Sequence, residues 1–260
     1  MGSKSVTTQY TAQEVMVAVA ARQIRDRELV FVGMRLPLIA FALAKRTHAP
    51  GALGLFECGL MRDEPSPELL YTMSDPPNIA AAIWSTKMIN VMALLQQGMV
   101  QFGIVGAAEV DRFGNLNTSY IGPHERPTVK LPGSGGAADI ASLAGRFIII
   151  MQHERRRFKE RVDYVTSPGF GDGGNWRRHV GLPGGGPSAV ITTLGMLSFD
   201  SQTKEAVLVS CHPGVTPDEV CRQTGWSLRV SPTVHETLPP TEDELEIIRQ
   251  YDPNGFWTRS

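Results

Sequence analysis

Leu55-Phe-Glu-Cys-Gly-Leu60 sets an acidic side chain between a run of strand formers and a glycine turn. Gly54, Leu55 and Phe56 read as the end of a buried strand, and Gly59 lets the backbone turn sharply just after it. Glu57 then stands at the carboxyl end of a strand, the edge where open α/β sheets place their ligand crevices. A carboxylate there serves as nucleophile, as general acid or base, or as a structural cap.

Outward from this stretch, short apolar runs alternate with helical patterns. Residues 29–32, 53–56, 102–105, 147–151, 162–165, 189–192 and 206–209 are compact and rich in β-branched or aromatic side chains, which predicts strands. Thr11-Ala-Gln-Glu14 has the form of a capping box, and Val15, Val19 and Ala20 continue one apolar face. Pro37 suits the first turn of a second helix, and Gly98 suits the end of a third over 86–97. Further helices are expected from Ala138 onward, over 217–223 and over 241–251. The alternation predicts an α/β fold, with a mostly parallel central sheet flanked by helices. With no internal repeat and no flexible linker, the expectation is a short tail over 1–10 and one domain over 11–260.

Composition narrows the function. The 260 residues carry a formal net charge of −1, so neither a nucleic-acid surface nor an acidic arm is expected. No run of about 18 apolar residues suggests a membrane span. The polar N-terminus has no signal-peptide core, which with the cysteine usage points to the cytoplasm. Cys58, Cys211 and Cys221 are an odd count without metal-ligand spacing, and His48, His124, His179, His212 and His235 also lack it. No metal is expected.

A second motif bears on Glu57. The glycine loop over 132–139, Pro-Gly-Ser-Gly-Gly-Ala-Ala-Asp, is rich in residues that tolerate positive φ, so its N–H groups can converge on an anion. It lacks the Lys-Ser/Thr ending of a P-loop and the spacing of a dinucleotide fingerprint. Two readings stay open: an oxyanion hole, or a tight turn before a helix.

These residues carry a resemblance. Over roughly 11–252 the chain resembles the β subunit of a family I coenzyme A transferase, nearest the glutaconate branch of the CoA-transferase-like fold. The similarity runs in order through Leu36-Pro-Leu-Ile39, Glu57-Cys-Gly-Leu-Met61, Asp111-Arg-Phe-Gly-Asn-Leu-Asn117, Gly133-Ser-Gly-Gly-Ala137, Met151-Gln-His-Glu154, Asp163-Tyr-Val-Thr-Ser-Pro-Gly169 and Gly181-Leu-Pro-Gly184. The resemblance implies that Glu57 attacks an acyl-CoA and passes through a mixed anhydride to a glutamyl-CoA thioester. Gly133, Ser134, Gly135, Gly136 and Ala137 would stabilise the oxyanion. It also implies an α subunit as partner (an αβ heterodimer, usually doubled to α2β2), with coenzyme A as part of the substrate and no tightly bound cofactor.

Two positions depart from the glutaconate pattern. Cys58 replaces a serine, and Arg35 replaces a small residue. Cys58 can donate a proton or simply pack; Arg35 can fork onto a substrate carboxylate or form a surface pair. The Glu-Cys pair resembles a CoA-transferase-like branch of the myxobacterial alternative route to isovaleryl-CoA, which decarboxylates 3-methylglutaconyl-CoA to 3,3-dimethylacrylyl-CoA. Decarboxylation is therefore the first expectation, with Glu57 or Cys58 reprotonating the dienolate, and glutaconate-type CoA transfer is its alternative. Thioester hydrolysis comes third. A sugar-sensing regulator domain, a fold relative, is disfavoured because no DNA-binding helix-turn-helix pattern or basic excess is seen. His153, Glu154 and the arginines at 155–157 are expected in packing or subunit contacts. Asn115 and Asn117 are expected to satisfy local backbone, and the glycine stretches at 169–174 and 184–186 to form surface or interface loops.

Overall fold

The computed structural model describes residues 10–259. Five parallel strands form the centre of the sheet, in the spatial order Pro187–Thr192, Arg146–Met151, β5 (Phe102–Val105), β1 (Leu29–Phe31) and β2 (Leu53–Phe56). β1 pairs in register with β2 through Leu29↔Leu53 and Phe31↔Leu55, and with β5 through Val30↔Phe102. Antiparallel strands extend both sides. β3 (Leu60–Arg62) and β4 (Trp84–Ser85) follow β2, and Gly195–Phe199 and Ala206–Cys211 follow Pro187–Thr192. Among the described residues Arg229–Glu236 completes the ten strands of this sheet, pairing parallel to Ala206–Cys211.

The central strands read as unbroken apolar runs because both of their faces are covered. Their side chains alternate between two cores. Val30, Phe102, Ile104, Ile148 and Ile150 join α1 (Ala12–Ala21) and α2 (Leu36–Arg46) on one face. Phe31, Leu55, Phe147 and Ile149 meet Val91 and Leu95 of the helix Met88–Gln96 and Ile140 of the helix Ala137–Leu143 on the other. Gly103 belongs to this arrangement, since a Cβ there would come within 2.3 Å of Ile140 Cγ2.

Most predicted elements are present. The capping box at Thr11 and Glu14 closes reciprocally, and Thr241 with Glu244 forms another at Glu242–Tyr251. Proline opens α2. The third helix starts two residues later than expected, because Thr86 donates its N–H to Gly59 O at 2.8 Å instead of entering the helix. Residues 162–165, expected as a strand, form none. The Asp163 carboxylate takes the Gly122 N–H at 2.7 Å and Thr166 Oγ1 takes the Thr118 N–H at 3.0 Å, so side chains replace a ladder and leave Tyr164 and Val165 exposed. The expected tail over 1–10 falls, except for Tyr10, outside the described residues.

The sequence reading missed the hairpin that follows β2. Glu57, Cys58 and Gly59 form its connection, with Gly59 donating to Phe56 O at 3.0 Å, and β3 returns antiparallel through Phe56↔Leu60 and Gly54↔Arg62. A three-residue loop ending in glycine between apolar runs was the signal for it. Gly59 has φ +105°, and a Cβ would lie 2.1 Å from Thr86 O. Gly59→Ala is therefore expected to lower unfolding stability by more than the roughly 1–3 kcal/mol of backbone strain alone, measured by urea titration; a neutral result would contradict this packing.

Candidate active site

The hairpin turn leaves Glu57 half-buried, one residue past the carboxyl end of β2. The glycine loop faces it. A Cβ on Gly136 would stand 3.0 Å from Glu57 Oε2 and 3.0 Å from Met92 Cε, and one on Gly135 would lie 3.6 Å from both carboxylate oxygens. The acid and the loop thus meet although they are far apart in the chain, and a side chain on Gly136 would crowd the carboxylate. Among the described residues no ion pair or hydrogen bond engages the Glu57 carboxylate.

The loop amides divide into two sets. Gly133 donates to Thr118 O at 2.8 Å and Ala137 to Ser134 O at 3.0 Å, so both are committed to holding the loop's shape. The N–H groups of Ser134, Gly135 and Gly136 have no protein acceptor among the described residues. Gly133 (φ +101°) and Gly135 (φ +48°) adopt the backbone region that glycine favours. Of five expected oxyanion donors, three are free to serve. The loop also makes the tight turn before a helix, since Gly136 caps Ala137–Leu143.

Cys58 is half-buried and packs against the core, and its Sγ donates to Met73 O at 3.2 Å. Burial, then the charge of Glu57, raises the thiol's pKa, so it stays protonated at neutral pH. That environment disfavours a thiolate nucleophile. The acceptor of its hydrogen bond belongs to a segment tied down by Arg62, whose buried guanidinium donates to Glu64 O, Asn78 O and Ala80 O.

Arg35 is placed elsewhere. It precedes α2 with φ +71°, is exposed, and holds its guanidinium 4.9 Å from the centre of the Trp257 ring. It lines a cleft of about 420 Å³ at the carboxyl ends of the parallel strands, together with Gly106, Met151, Gln152 and Thr193. Glu57 does not line that cleft.

The remaining candidates are structural. His153 is buried and stacked on Phe158 at 3.8 Å, with its two ring nitrogens bonded to Thr192 Oγ1 and Thr224 Oγ1; burial pushes its pKa down to about 4. Glu154 pairs with Arg156 at 2.5 Å and Arg157 at 3.3 Å. Asn115 bonds the Asp111 carboxylate and accepts from the Gly169 and Gly171 N–H groups, while Asn117 bonds Glu109 and Tyr120 O. Gly169, expected in a surface loop, is buried, and a Cβ there would fall 2.3 Å from the Gly114 backbone. Two contributors escaped the sequence reading. Met92 packs against the glycine loop, and buried Arg177 donates to Ala141 O and Ser142 O, bracing the helix that follows the loop. Helical periodicity marked Met92 as core, and nothing local marked Arg177 among the basic residues around it.

A parallel α/β sheet with a carboxylate at a strand end, facing a glycine loop with free amides, defines a class of protein suited to acyl-group chemistry. The chain belongs to the coenzyme A transferase family, whose model matches residues 14–223. It is 39% identical over 241 residues to the β subunit of 3-oxoadipate CoA-transferase from Pseudomonas knackmussii, covering 92% of each chain. It is 37% identical over 249 residues to the β subunit of glutaconate CoA-transferase from Acidaminococcus fermentans, covering 94% of this chain and 92% of that one. The crystal structure of that glutaconate enzyme superposes with a TM-score of 0.91 at 34% identity, over 97% of this chain and 99% of the other. The decarboxylase AibA/AibB superposes with a TM-score of 0.82 at 26% identity, over 95% and 97%. No helix among the described residues is long and apolar enough to cross a membrane.

Two outcomes are expected. Gly136→Ala, at a φ of −75° that alanine accepts, should keep the fold while displacing the Glu57 carboxylate; acyl-CoA turnover should fall by about tenfold or more, as loss of an aligned group implies. His153 titrates near 6.5 when unfolded and near 4 when folded, so the unfolded state binds protons first as pH falls. Stability should be fully present above about pH 6.5 and decline toward pH 4, by up to about 3 kcal/mol, in urea titrations. His153→Gln should flatten that decline.

Proposed function

We propose that this chain is the β subunit of a coenzyme A transferase that moves coenzyme A between dicarboxylic acids, with Glu57 as the nucleophile. The observation that carries this reading is the unpaired Glu57 carboxylate facing the glycine loop at Gly135 and Gly136, where the amides of 134–136 have no protein acceptor among the described residues. A Glu57 oxygen attacks the thioester carbonyl, and the tetrahedral oxyanion is held by those N–H groups, each donor worth about 2.7–4 kcal/mol. Coenzyme A leaves as thiolate, giving a mixed anhydride. The thiolate then attacks the Glu57 carbonyl, releasing the first acid and leaving a glutamyl-CoA thioester. An incoming carboxylate reverses the sequence and carries coenzyme A away. The two transferase relatives are named for 3-oxoadipate and glutaconate, both dicarboxylic acids, which supports that substrate class.

The sequence alone favoured decarboxylation. On superposition the glutaconate transferase is 34% identical, against 26% for the decarboxylase, and that difference moves transfer ahead. Decarboxylation of 3-methylglutaconyl-CoA to 3,3-dimethylacrylyl-CoA remains the second reading, favoured by the protonated Cys58 thiol beside Glu57. The same amides would hold a dienolate oxygen, and the thiol would supply the proton.

An α subunit would complete the site, in an αβ or α2β2 assembly within the cytoplasm. Ile79, Ile83, Trp84, Met88 and Ile89 are exposed on the segment that anchors the Glu57 turn through Thr86. We assign this apolar face to that subunit. Coenzyme A would enter as substrate, and neither reaction needs a resident cofactor.

The test uses the co-expressed subunits. With an acyl-CoA, borohydride should reduce a glutamyl-CoA at Glu57, located by peptide mass spectrometry, and label should pass between acyl-CoA and a free dicarboxylic acid. Glu57→Gln should abolish both, lowering activity by at least about 10³-fold. Carbon dioxide release with no trapped thioester would instead select the decarboxylase reading.

A further inference from the structure

The cleft beside Arg35 lies outside the Glu57 chemistry described above, yet it opens on the same edge of the sheet. Its lining comes from the loops leaving consecutive parallel strands: Met34 and Arg35 after β1, Gly106 after β5, Gln152 after Arg146–Met151, and Thr193 after Pro187–Thr192. β1 is the immediate neighbour of β2, in parallel register at Phe31↔Leu55, and Val32 still donates to Leu55 O at 2.9 Å. Two residues beyond that paired register stand Gly33 and Glu57. The cleft therefore opens beside the strand that leads into Glu57, one strand over in the sheet.

The cleft combines apolar walls with two guanidinium groups. Met16, Leu36 and Ile150 form the walls, and Arg35 and Arg157 supply the charge. Among the described residues no carboxylate pairs with Arg35. Arg157 shares Glu154 with Arg156, one carboxylate between two guanidinium groups, which leaves positive charge uncompensated. The position of Arg35 is built. Its guanidinium lies over Trp257, whose indole N–H donates to Leu70 O at 3.1 Å. The backbone N–H groups of Phe256, Trp257 and Thr258 all bond the Asp252 carboxylate, so the ring is fixed from both sides. A guanidinium lying over a ring keeps its edge donors free, in the fork that matches a carboxylate.

Resting on the transferase reading, we propose that this cleft receives the second carboxylate of a dicarboxylic acyl group, with Arg35 as the residue that selects dicarboxylic over monocarboxylic substrates. The carboxylate is the same whether it is borne by the thioester or by the free acceptor acid, so one pocket serves both halves of the exchange. The apolar side chains in the lining suit the methylene chain between the two ends.

The experiment compares steady-state transfer by the assembled α and β subunits, using glutaryl-CoA and valeryl-CoA, which differ in the terminal carboxylate. Wild type should favour glutaryl-CoA. Arg35→Met should raise KM for glutaryl-CoA about 10- to 100-fold more than for valeryl-CoA, the worth of a charge-assisted pair, and Arg35→Lys should raise it less. Equal rises for both substrates would assign Arg35 to coenzyme A or to positioning, and would overturn the proposal. So would a wild type indifferent to the terminal carboxylate. Should Arg35→Met fail to assemble with the α subunit by native mass spectrometry, the Arg35→Lys ratio decides alone. The borohydride trap is run on wild type and variants: a trapped glutamyl-CoA with no change in discrimination sinks the cleft and spares the transferase, whereas no trap in wild type sinks the transferase reading itself.

Discussion

The contact between Gly59 and Thr86 governs this site. The Gly59 carbonyl accepts the Thr86 N–H, and the absent Cβ lets the two backbones meet where any side chain would collide. That approach ends β2 abruptly, reverses the chain into β3, and leaves Glu57 at the apex with its side chain free of the ladder. A strand continuing straight would bury residue 57 or pair it. The tight hairpin presents it, and the same contact positions the segment carrying Ile83, Trp84, Met88 and Ile89 beside the acid.

The other half of the site depends on how the glycine loop distributes its hydrogen bonds. The loop is only partly buried, with Gly136 covered and Gly135 exposed. Here Gly133 and Ala137 hold the loop's shape, and the three amides between them are left over. In the proposed reaction these N–H groups would meet the oxyanion already oriented, which is how preorganised electrostatic catalysis works. Arg177 and the apolar packing of Ile140 keep the following helix rigid enough to hold them. The half-buried Glu57 is only partly removed from water, and closure of a second subunit over the exposed apolar face would finish the desolvation that a carboxylate nucleophile requires.

Much of the architecture was legible because it follows from local rules. Thr11 announced its helix through the carboxylate three residues later, and the central strands announced themselves by unbroken apolar runs. The errors have a common source. At 162–165 the β-branched pattern suggested a strand, yet the chain there pairs with none, and side chains of Asp163 and Thr166 meet backbone groups instead. At 60–62 the strand was too short to show a period. Arg177 looked like any surface arginine until its carbonyl partners, drawn from separate segments of the chain, were in place.

By itself the sequence determined the α/β class, the strand that ends in Glu57, and the glycine loop's capacity for unusual backbone angles, since each depends on residues near one another in the chain. It also carried the family, because ordered motifs are a linear property. Only the tertiary structure decided that residue 57 meets residue 136, that Trp257 lies under Arg35 from the far end of the chain, and that the amides of 134–136 stay unclaimed. Those are contacts between segments whose separation in sequence places no constraint on their distance in space, and sheet order and strand register alone bring them together.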